Sequence, residues 1–261
     1  MEMTRNRFKQ AVRERRLQIG LWSSLCSNIG AEIIADSGFD WILLDTEHSP
    51  NELPGLLSQL QAIGREQATP VIRAAWNDAV LIKRILDIGA PAVLIPYVQN
   101  AVDAERAVAA MRYPPRGVRG VSAGSRASRY GRVSDYLKKA DDEVCLLVQV
   151  ETRAALDQLE AIAGVDGVDG VFIGPADLAA SFGRIGDAQA AEVQDAIRGA
   201  AVRLTAAGKA AGILTVNEAE ARRYIEWGYS IVAVGIDSNL LARSADALAR
   251  SFKSIEQRSA R

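Results

Sequence analysis

The chain has little of what would tie it to several large classes of protein. Its two cysteines, Cys26 and Cys145, are far apart and lack the spacing of metal ligands, so neither a disulfide scaffold nor a thiolate centre is expected. Two packed thiols in a reduced, cytoplasmic protein fit better. Thirty-one Lys and Arg stand against 32 Asp and Glu with no block of like charge, which removes the basic field that nucleic acid would need. No apolar run reaches the ~18 residues of a membrane helix. The segment Met1 to Arg16 is polar and charged, unlike a leader. No Pro- or Gly-rich linker, short repeat or low-complexity tract divides the chain. The expected partner is a small molecule, with no nucleic acid and no membrane.

What is present is ample apolar supply: 261 residues, 49% hydrophobic, enough to bury a full core. The stretch Gly170 to Leu178 organises the reading. Val171, Phe172 and Ile173 suit a strand buried on both faces, and Gly174 Pro175 turns into a helix that carries Asp177 in its first turn. The same alternation runs along the chain. Strands are predicted at Gln18 to Trp22, Trp41 to Leu44, Pro70 to Ala74, Ala92 to Pro96, Leu146 to Val150, Val171 onward, Ala211 to Leu214 and Ile231 to Val234. Helices are predicted at Thr4 to Arg15 (Thr4 as cap), Ala31 to Asp36, Leu53 to Ile63, Ala79 to Asp87, Ala101 to Met111, Ala154 to Ala163, Ala190 to Ala207, Glu218 to Trp227 and Asn239 to Gln257. The one long irregular stretch is Arg112 to Gly131, and loops of that length usually carry function or disorder. Eight strands alternating with helices predict one (β/α)8 TIM barrel over residues 1–261, with a doubly wound open sheet as the alternative.

In such a barrel the reacting groups come from the C-terminal ends of the strands. There the sequence places Asp45, Glu47 and His48 after strand two, Arg73 at strand three, Gln149 and Glu151 at strand five and Asp177 after strand six. Glu151 and Asp177 are hard oxygen donors; a cation between them would be Mg²⁺, Mn²⁺ or a similar octahedral ion with positions left open for a 2-oxoacid. Either acid could instead be a solvated helix start. Arg73 ends an apolar strand and needs an anionic partner, either a neighbouring carboxylate or the substrate. His48, the only histidine, stands three residues after Asp45, close enough for that carboxylate to orient the ring of a general base; a packed or surface histidine is the alternative. The six lysines, Lys9, Lys83, Lys138, Lys139, Lys209 and Lys253, fall in helices or before strands, which disfavours imine chemistry.

Taken together, these residues resemble the HpcH/HpaI family of class II pyruvate-dependent aldolases. The resemblance covers almost the whole chain: Gly20 Leu21 Trp22, Gly38 to Trp41, Asp45 to His48, Arg73 with Trp76 Asn77 Asp78, Arg112 to Pro115, Arg126 to Arg129, Gln149 to Thr152, Gly170 to Leu178 and Val232 to Gly235. It implies a (β/α)8 barrel in which Glu151 and Asp177 hold a divalent ion (Mg²⁺, Mn²⁺ or Co²⁺) and Arg73 holds pyruvate and its enolate. It further implies proton transfer by His48 paired with Asp45, and pyruvate contacts from Gln149 and the backbone of Gly174, Pro175, Ala176 and Asp177. A hexamer, a trimer of dimers, would exchange C-terminal helices and set Asp87 against a neighbour's aldehyde pocket.

The chain departs from the family pattern at Thr46 and Ser49, where small residues are common, a change expected to bear on the aldehyde pocket. The arginine-rich loop Arg112 to Arg132 could bind an acidic tail on the aldehyde, or be an interface or solvated loop. The implied reaction is reversible aldol cleavage of a 4-hydroxy-2-oxo acid to pyruvate and an aldehyde, hydroxypyruvate being a possible donor. Two rivals remain: a lyase acting on an acyl-coenzyme A thioester, for which no nucleotide motif is seen, and a non-catalytic barrel that binds oxoacids.

Overall fold

Eight parallel strands close on one another in chain order, with the last pairing back to the first. We describe them in a computed structural model that covers residues 1–64 and 68–259, with side chains to Lys253. The strands are β1 (Gln18–Ser23), β2 (Trp41–Asp45), β3 (Thr69–Arg73), β4 (Ala92–Ile95), β5 (Cys145–Val150), β6 (Gly170–Ile173), β7 (Ala210–Leu214) and β8 (Ile231–Ile236). The helices are α1 (Arg7–Arg13), α2 (Asn28–Ala35), α3 (Leu53–Ile63), α4 (Ala79–Asp87), α5 (Ala101–Met111), α6 (Tyr136–Glu143), α7 (Arg153–Asp157), α8 (Leu159–Ala163), α9 (Pro175–Ser181), α10 (Ala191–Ala206), α11 (Glu218–Glu226) and α12 (Asp237–Ser259). This is the (β/α)8 barrel expected, and the open sheet is excluded by the β8 to β1 pairing.

The period of two along each strand builds two cores. Trp41, Leu43, Val71, Leu94, Leu147 and Phe172 fill the barrel, while Ile42, Leu44, Ile72, Val93, Val148 and Val171 pack outward under the helices. A fully buried aliphatic or aromatic side chain contributes roughly 1.5–3 kcal/mol, so both layers are well supplied. The inner layer closes at the strand N-terminal end: Phe8 and Val12 of α1 join it, and the Phe8 ring lies 5.9 Å from Trp41. Gly20 is needed beside that plug, because a Cβ there would stand 2.2 Å from the Trp41 indole. At the other end the inward parity of β2, β3 and β5 brings Asp45, Arg73 and Gln149 to the mouth, and Asp45 is paired in register with Arg73.

Several boundaries differ from expectation, each for a local reason. The first helix starts at Arg7 because Asn6, not Thr4, caps it, accepting from the Lys9 N–H at 2.9 Å while its amide donates to the carbonyls of Pro91 and Glu143. Ser27 caps α2 and so begins it at Asn28, ahead of the apolar run. The helix predicted after Glu151 is two short ones joined at Gln158. Helix α6 was not anticipated: only Tyr136 and Ala140, four apart, are buried, and the rest is too polar to show a period. Among the described residues no helix is long and apolar enough to cross a membrane.

Candidate active site

A cavity of about 310 Å³ opens at the strand C-terminal ends, lined by Trp22, Asp45, His48, Arg73, Gln149 and Asp177 among others. Its floor is aromatic. Trp22 and Phe172 lie 5.8 Å apart, and the Arg73 guanidinium stacks 4.8 Å from the Trp22 ring centroid.

Asp45 clamps Arg73 from one edge, Nε to Oδ1 at 2.9 Å and Nη2 to Oδ2 at 2.6 Å. Glu47 meets the other edge, with Oε2 2.7 Å from Nη1. Arg73 is buried, as its place at the end of an apolar strand predicts, and the neighbouring carboxylates supply its counter-charge. Each terminal nitrogen carries a second N–H beyond these contacts, and Arg73 lines the cavity. Burial pushes the Asp45 carboxyl up, but the hydrogen bonds and charge of Arg73 outweigh it and hold the group below its ordinary range.

Glu151 is fixed from two sides. Its Oε1 accepts the Tyr97 N–H at 2.8 Å, and its Oε2 accepts from the Gln149 amide at 2.5 Å. Tyr97 adopts a left-handed backbone (φ 54°) to do so, a strain seen chiefly where geometry serves function. Gly174 completes the cradle: a Cβ there would stand 2.6 Å from Glu151 Oε2 and 2.8 Å from Gln149 Nε2. Burial, with the nearby charges of Asp177 and Glu47, pushes the Glu151 carboxyl up to about 7. Asp177 is exposed on the first turn of α9, and Pro175 and Ala176 line the cavity beside it.

The structure thus brings Asp45, His48, Arg73, Gln149, Gly174, Pro175, Ala176 and Asp177 to one cavity, with Glu151 held behind Gly174. One expectation is corrected, and one set of alternatives is narrowed. Asp45 does not orient the His48 ring; it accepts the backbone N–H groups of Glu47 and His48 at 3.0 and 3.5 Å and is otherwise occupied by Arg73 and the Trp22 indole N–H. The carboxylate near the imidazole is Glu47, 3.9 Å from Nε2 on a largely exposed ring. The arginine-rich segment, in turn, does not approach its own chain's mouth. It follows α5 and leads to β5, so it lies at the strand N-terminal end, where Arg119 pairs with Asp87 at 3.0 Å and Arg126 donates to the Ile88 carbonyl. Asp87, at the C-terminus of α4, lies on that same face.

The two departures separate as well. Thr46 donates to the Arg73 carbonyl at 2.6 Å and locks β2 to β3, whereas Ser49 lines the cavity. Sequence reasoning did not assign roles to Trp22 or Glu47. The signal for Trp22 was its inward parity at the end of β1, and for Glu47 its place between two residues already singled out. No lysine lines the cavity; Lys9 and Lys209 bind the carbonyls of Val144 and Val168 at the opposite end.

Fold and site define a (β/α)8-barrel enzyme whose mouth combines clustered carboxylates with one buried arginine. The chain belongs to the HpcH/HpaI aldolase/citrate lyase family, whose profile matches residues 18–244. It is 56% identical over 249 residues to a 4-hydroxy-2-oxo-heptane-1,7-dioate aldolase of Salmonella dublin, covering 95% of each chain. Among solved structures, an HpcH/HpaI aldolase/citrate lyase family protein from Burkholderia cenocepacia J2315 superposes with a TM-score of 0.92 at 38% identity, covering 95% of this chain and 99% of that one. An HpcH/HpaI aldolase from Desulfitobacterium hafniense DCB-2 gives 0.87 at 25% identity, covering 94% and 96%.

Proposed function

We propose that the protein cleaves 4-hydroxy-2-oxo acids reversibly to pyruvate and an aldehyde, and that its substrate is 4-hydroxy-2-oxoheptanedioate, as the name of its Salmonella relative suggests. Cleavage of the C3–C4 bond of that acid gives pyruvate and 4-oxobutanoate, the C4 hydroxyl proton leaving as the carbonyl forms. The observation that carries the reading is the placement of Arg73, Gln149 and Asp177 around one cavity, with Glu151 cradled against Gly174.

The donor set fits a divalent cation. Glu151 and Asp177 are oxygen ligands, and their mutual repulsion, which helps push Glu151 up, is what a cation would relieve. Two protein carboxylates would leave an octahedral ion open positions for substrate. Mg²⁺, Mn²⁺ or Co²⁺ bound there would supply Lewis acidity to the 2-oxo group. The residues do the rest. Arg73, which lines the cavity, would receive the substrate carboxylate and the oxyanion that develops as the bond breaks. The Gln149 amide holds Glu151 in place, and the backbone of Gly174 to Asp177 shapes the wall against which the three-carbon part rests. His48, at the rim, takes the C4 hydroxyl proton in cleavage and returns it in condensation.

Assembly as a hexamer, a trimer of dimers, completes the reading. Leu240, Leu241, Leu248 and Phe252 are all exposed on α12, an apolar face suited to a neighbouring subunit. In that assembly Asp87, half-buried against Arg119, would contribute to a neighbour's aldehyde pocket.

Pyruvate release from 4-hydroxy-2-oxoheptanedioate, after stripping with chelator and resupply of Mg²⁺, Mn²⁺ or Co²⁺, tests the reading. Activity lost and restored supports it. Activity that survives stripping, or none with any 4-hydroxy-2-oxo acid, overturns it.

A further inference from the structure

The run Trp76 Asn77 Asp78 after β3 has no part in this chemistry. Asp78 caps α4 by accepting the N–H groups of Val80 and Leu81, and the Asn77 amide donates to the Asp103 carbonyl at 2.9 Å, tying this loop to α5. Trp76 does neither. Its ring is 52% exposed and stacks on the equally open ring of Tyr97 (45%), with centroids 5.8 Å apart and planes inclined by 28°. Tyr97 is the residue whose backbone holds Glu151. Its N–H donates to Glu151 Oε1 at 2.8 Å, and the next N–H, of Val98, donates to the Gln149 carbonyl at 3.0 Å. In an extended chain successive N–H groups point to opposite sides; the left-handed turn at Tyr97 (φ 54°) aims both at the end of β5. The Gln99 side chain secures the turn, donating to the Tyr97 carbonyl at 3.3 Å and accepting from Thr152 Oγ1 at 2.7 Å. Val98, Gln149 and Glu151 are buried, so the two N–H bonds belong to the chain whichever neighbour docks at the mouth.

From these contacts, and resting on the aldolase reading with its divalent cation, we infer that Trp76 and Tyr97 are positioning residues for the metal carboxylate. The stacked pair fixes the left-handed turn, and the turn aims the N–H that orients Glu151. A left-handed backbone is costly for any residue with a Cβ, and it persists only where the surroundings over-determine it. The stack is of the right size to do so. One aromatic pair contributes an amount comparable to the cost of one left-handed residue, so removing either ring lets the turn relax. Glu151 then loses the restraint on Oε1 and keeps only the Gln149 amide on Oε2. Neither ring lines the cavity, so the pair acts through the backbone and not by touching substrate.

Titration calorimetry of the metal-free, full-length protein with Mn²⁺ reads the effect without turnover. Trp76→Ala is expected to weaken Mn²⁺ binding about 3- to 10-fold, the worth of one aromatic pair, and Tyr97→Ala to do the same. Tyr97→Phe keeps the ring and binds as wild type does. The decisive variant is Tyr97→Gly, which takes a left-handed backbone unaided. It should bind Mn²⁺ within about twofold of wild type, and adding Trp76→Ala to it should cost nothing further. Trp76→Leu, which keeps bulk without a stack, shows the same loss as Trp76→Ala and serves if the alanine variant does not fold. Three results overturn the inference: Trp76 variants that bind as tightly as wild type, Tyr97→Gly as weak as Tyr97→Ala, or a Trp76→Ala loss that persists beside Tyr97→Gly. Failure of the aldolase reading shows separately, as wild-type protein that binds Mn²⁺ but releases no pyruvate from any 4-hydroxy-2-oxo acid.

Discussion

Arg73 and Arg119 are built alike at opposite ends of the barrel. Each is buried, each stacks on an aromatic ring (Trp22 at 4.8 Å, Tyr113 at 4.5 Å), and each is held by an aspartate, Asp45 at 2.6 Å and Asp87 at 3.0 Å. They differ in what lies in front of them. Arg119 is enclosed by Asp87, Tyr113 and Tyr136, and its charge is spent within the protein. Arg73 faces a cavity whose walls carry further carboxylates. A buried, paired arginine is therefore no mark of a site by itself; open volume and a surplus of unspent charge beside it are.

Exchange of one guanidinium for an amine should separate the two. Arg73→Lys keeps the charge but loses the fork, so turnover should fall about 10²–10³-fold while the denaturation midpoint stays close to wild type. Arg119→Ala should act chiefly on the fold: about 3 kcal/mol of stability is lost, read as a lower midpoint, because a buried pair is broken at the far end of its own barrel. An Arg119→Ala midpoint equal to wild type, or unfolded Arg73→Lys, would break the comparison.

The surplus charge has a pH signature. The Glu151 carboxyl, raised in the folded protein from 4.5 to about 7, is bound to a proton in the native state where the unfolded chain has lost it. Its contribution is thus fully present below about pH 4.5 and is lost as pH rises through about 7, on the order of 3 kcal/mol in the metal-free protein. Denaturant midpoints between those limits should slope downward, and Glu151→Gln should flatten the slope. The same titration predicts that uptake of a divalent ion below pH 7 releases a proton.

Smaller effects sharpen the picture of the mouth. Gly174→Ala forces a methyl into the space of Glu151 Oε2, and calorimetry with Mn²⁺ should show affinity weakened about 10- to 100-fold. Trp22→Phe keeps a ring beneath Arg73 but removes the indole N–H that Asp45 accepts at 3.2 Å, and should cost about 1 kcal/mol of transition-state stabilisation, near fivefold in kcat/KM. No change in the first, or a loss in the second as large as that of Arg73→Lys, would mean that the carboxylates and not the guanidinium govern the rate.

Much of this was legible in one dimension. The alternation of short apolar runs with helical periods is a local property of the backbone, and it fixed eight strands and the placing of Asp45, Arg73 and Gln149 at or near their C-terminal ends. Helix starts were legible where an apolar period or an adjoining cap marked them, as at Leu53, Asp78 and Asn217, and not at Asn6, whose side chain is fixed by the distant Pro91 and Glu143. Helix α6 escaped because two buried residues make no pattern.

What the sequence could not contain is which charge meets which. Asp45 lies three residues from His48, yet its carboxylate turns to Arg73, 28 residues away, because the register of β2 against β3 sets them side by side. Proximity along the chain was overruled by pairing across strands. By itself the chain determined that eight short strands alternate with helices, that the ends of those strands collect acids, an arginine and one histidine, and that no lysine joins them. Only the closed barrel decided that Arg73 is shared between Asp45 and Glu47, that Glu151 is cradled by Gly174 and the Tyr97 backbone, and that the arginine-rich segment lies at the far end. The former rests on local periodicity and backbone sterics; the latter depends on distances between residues that only closure brings together.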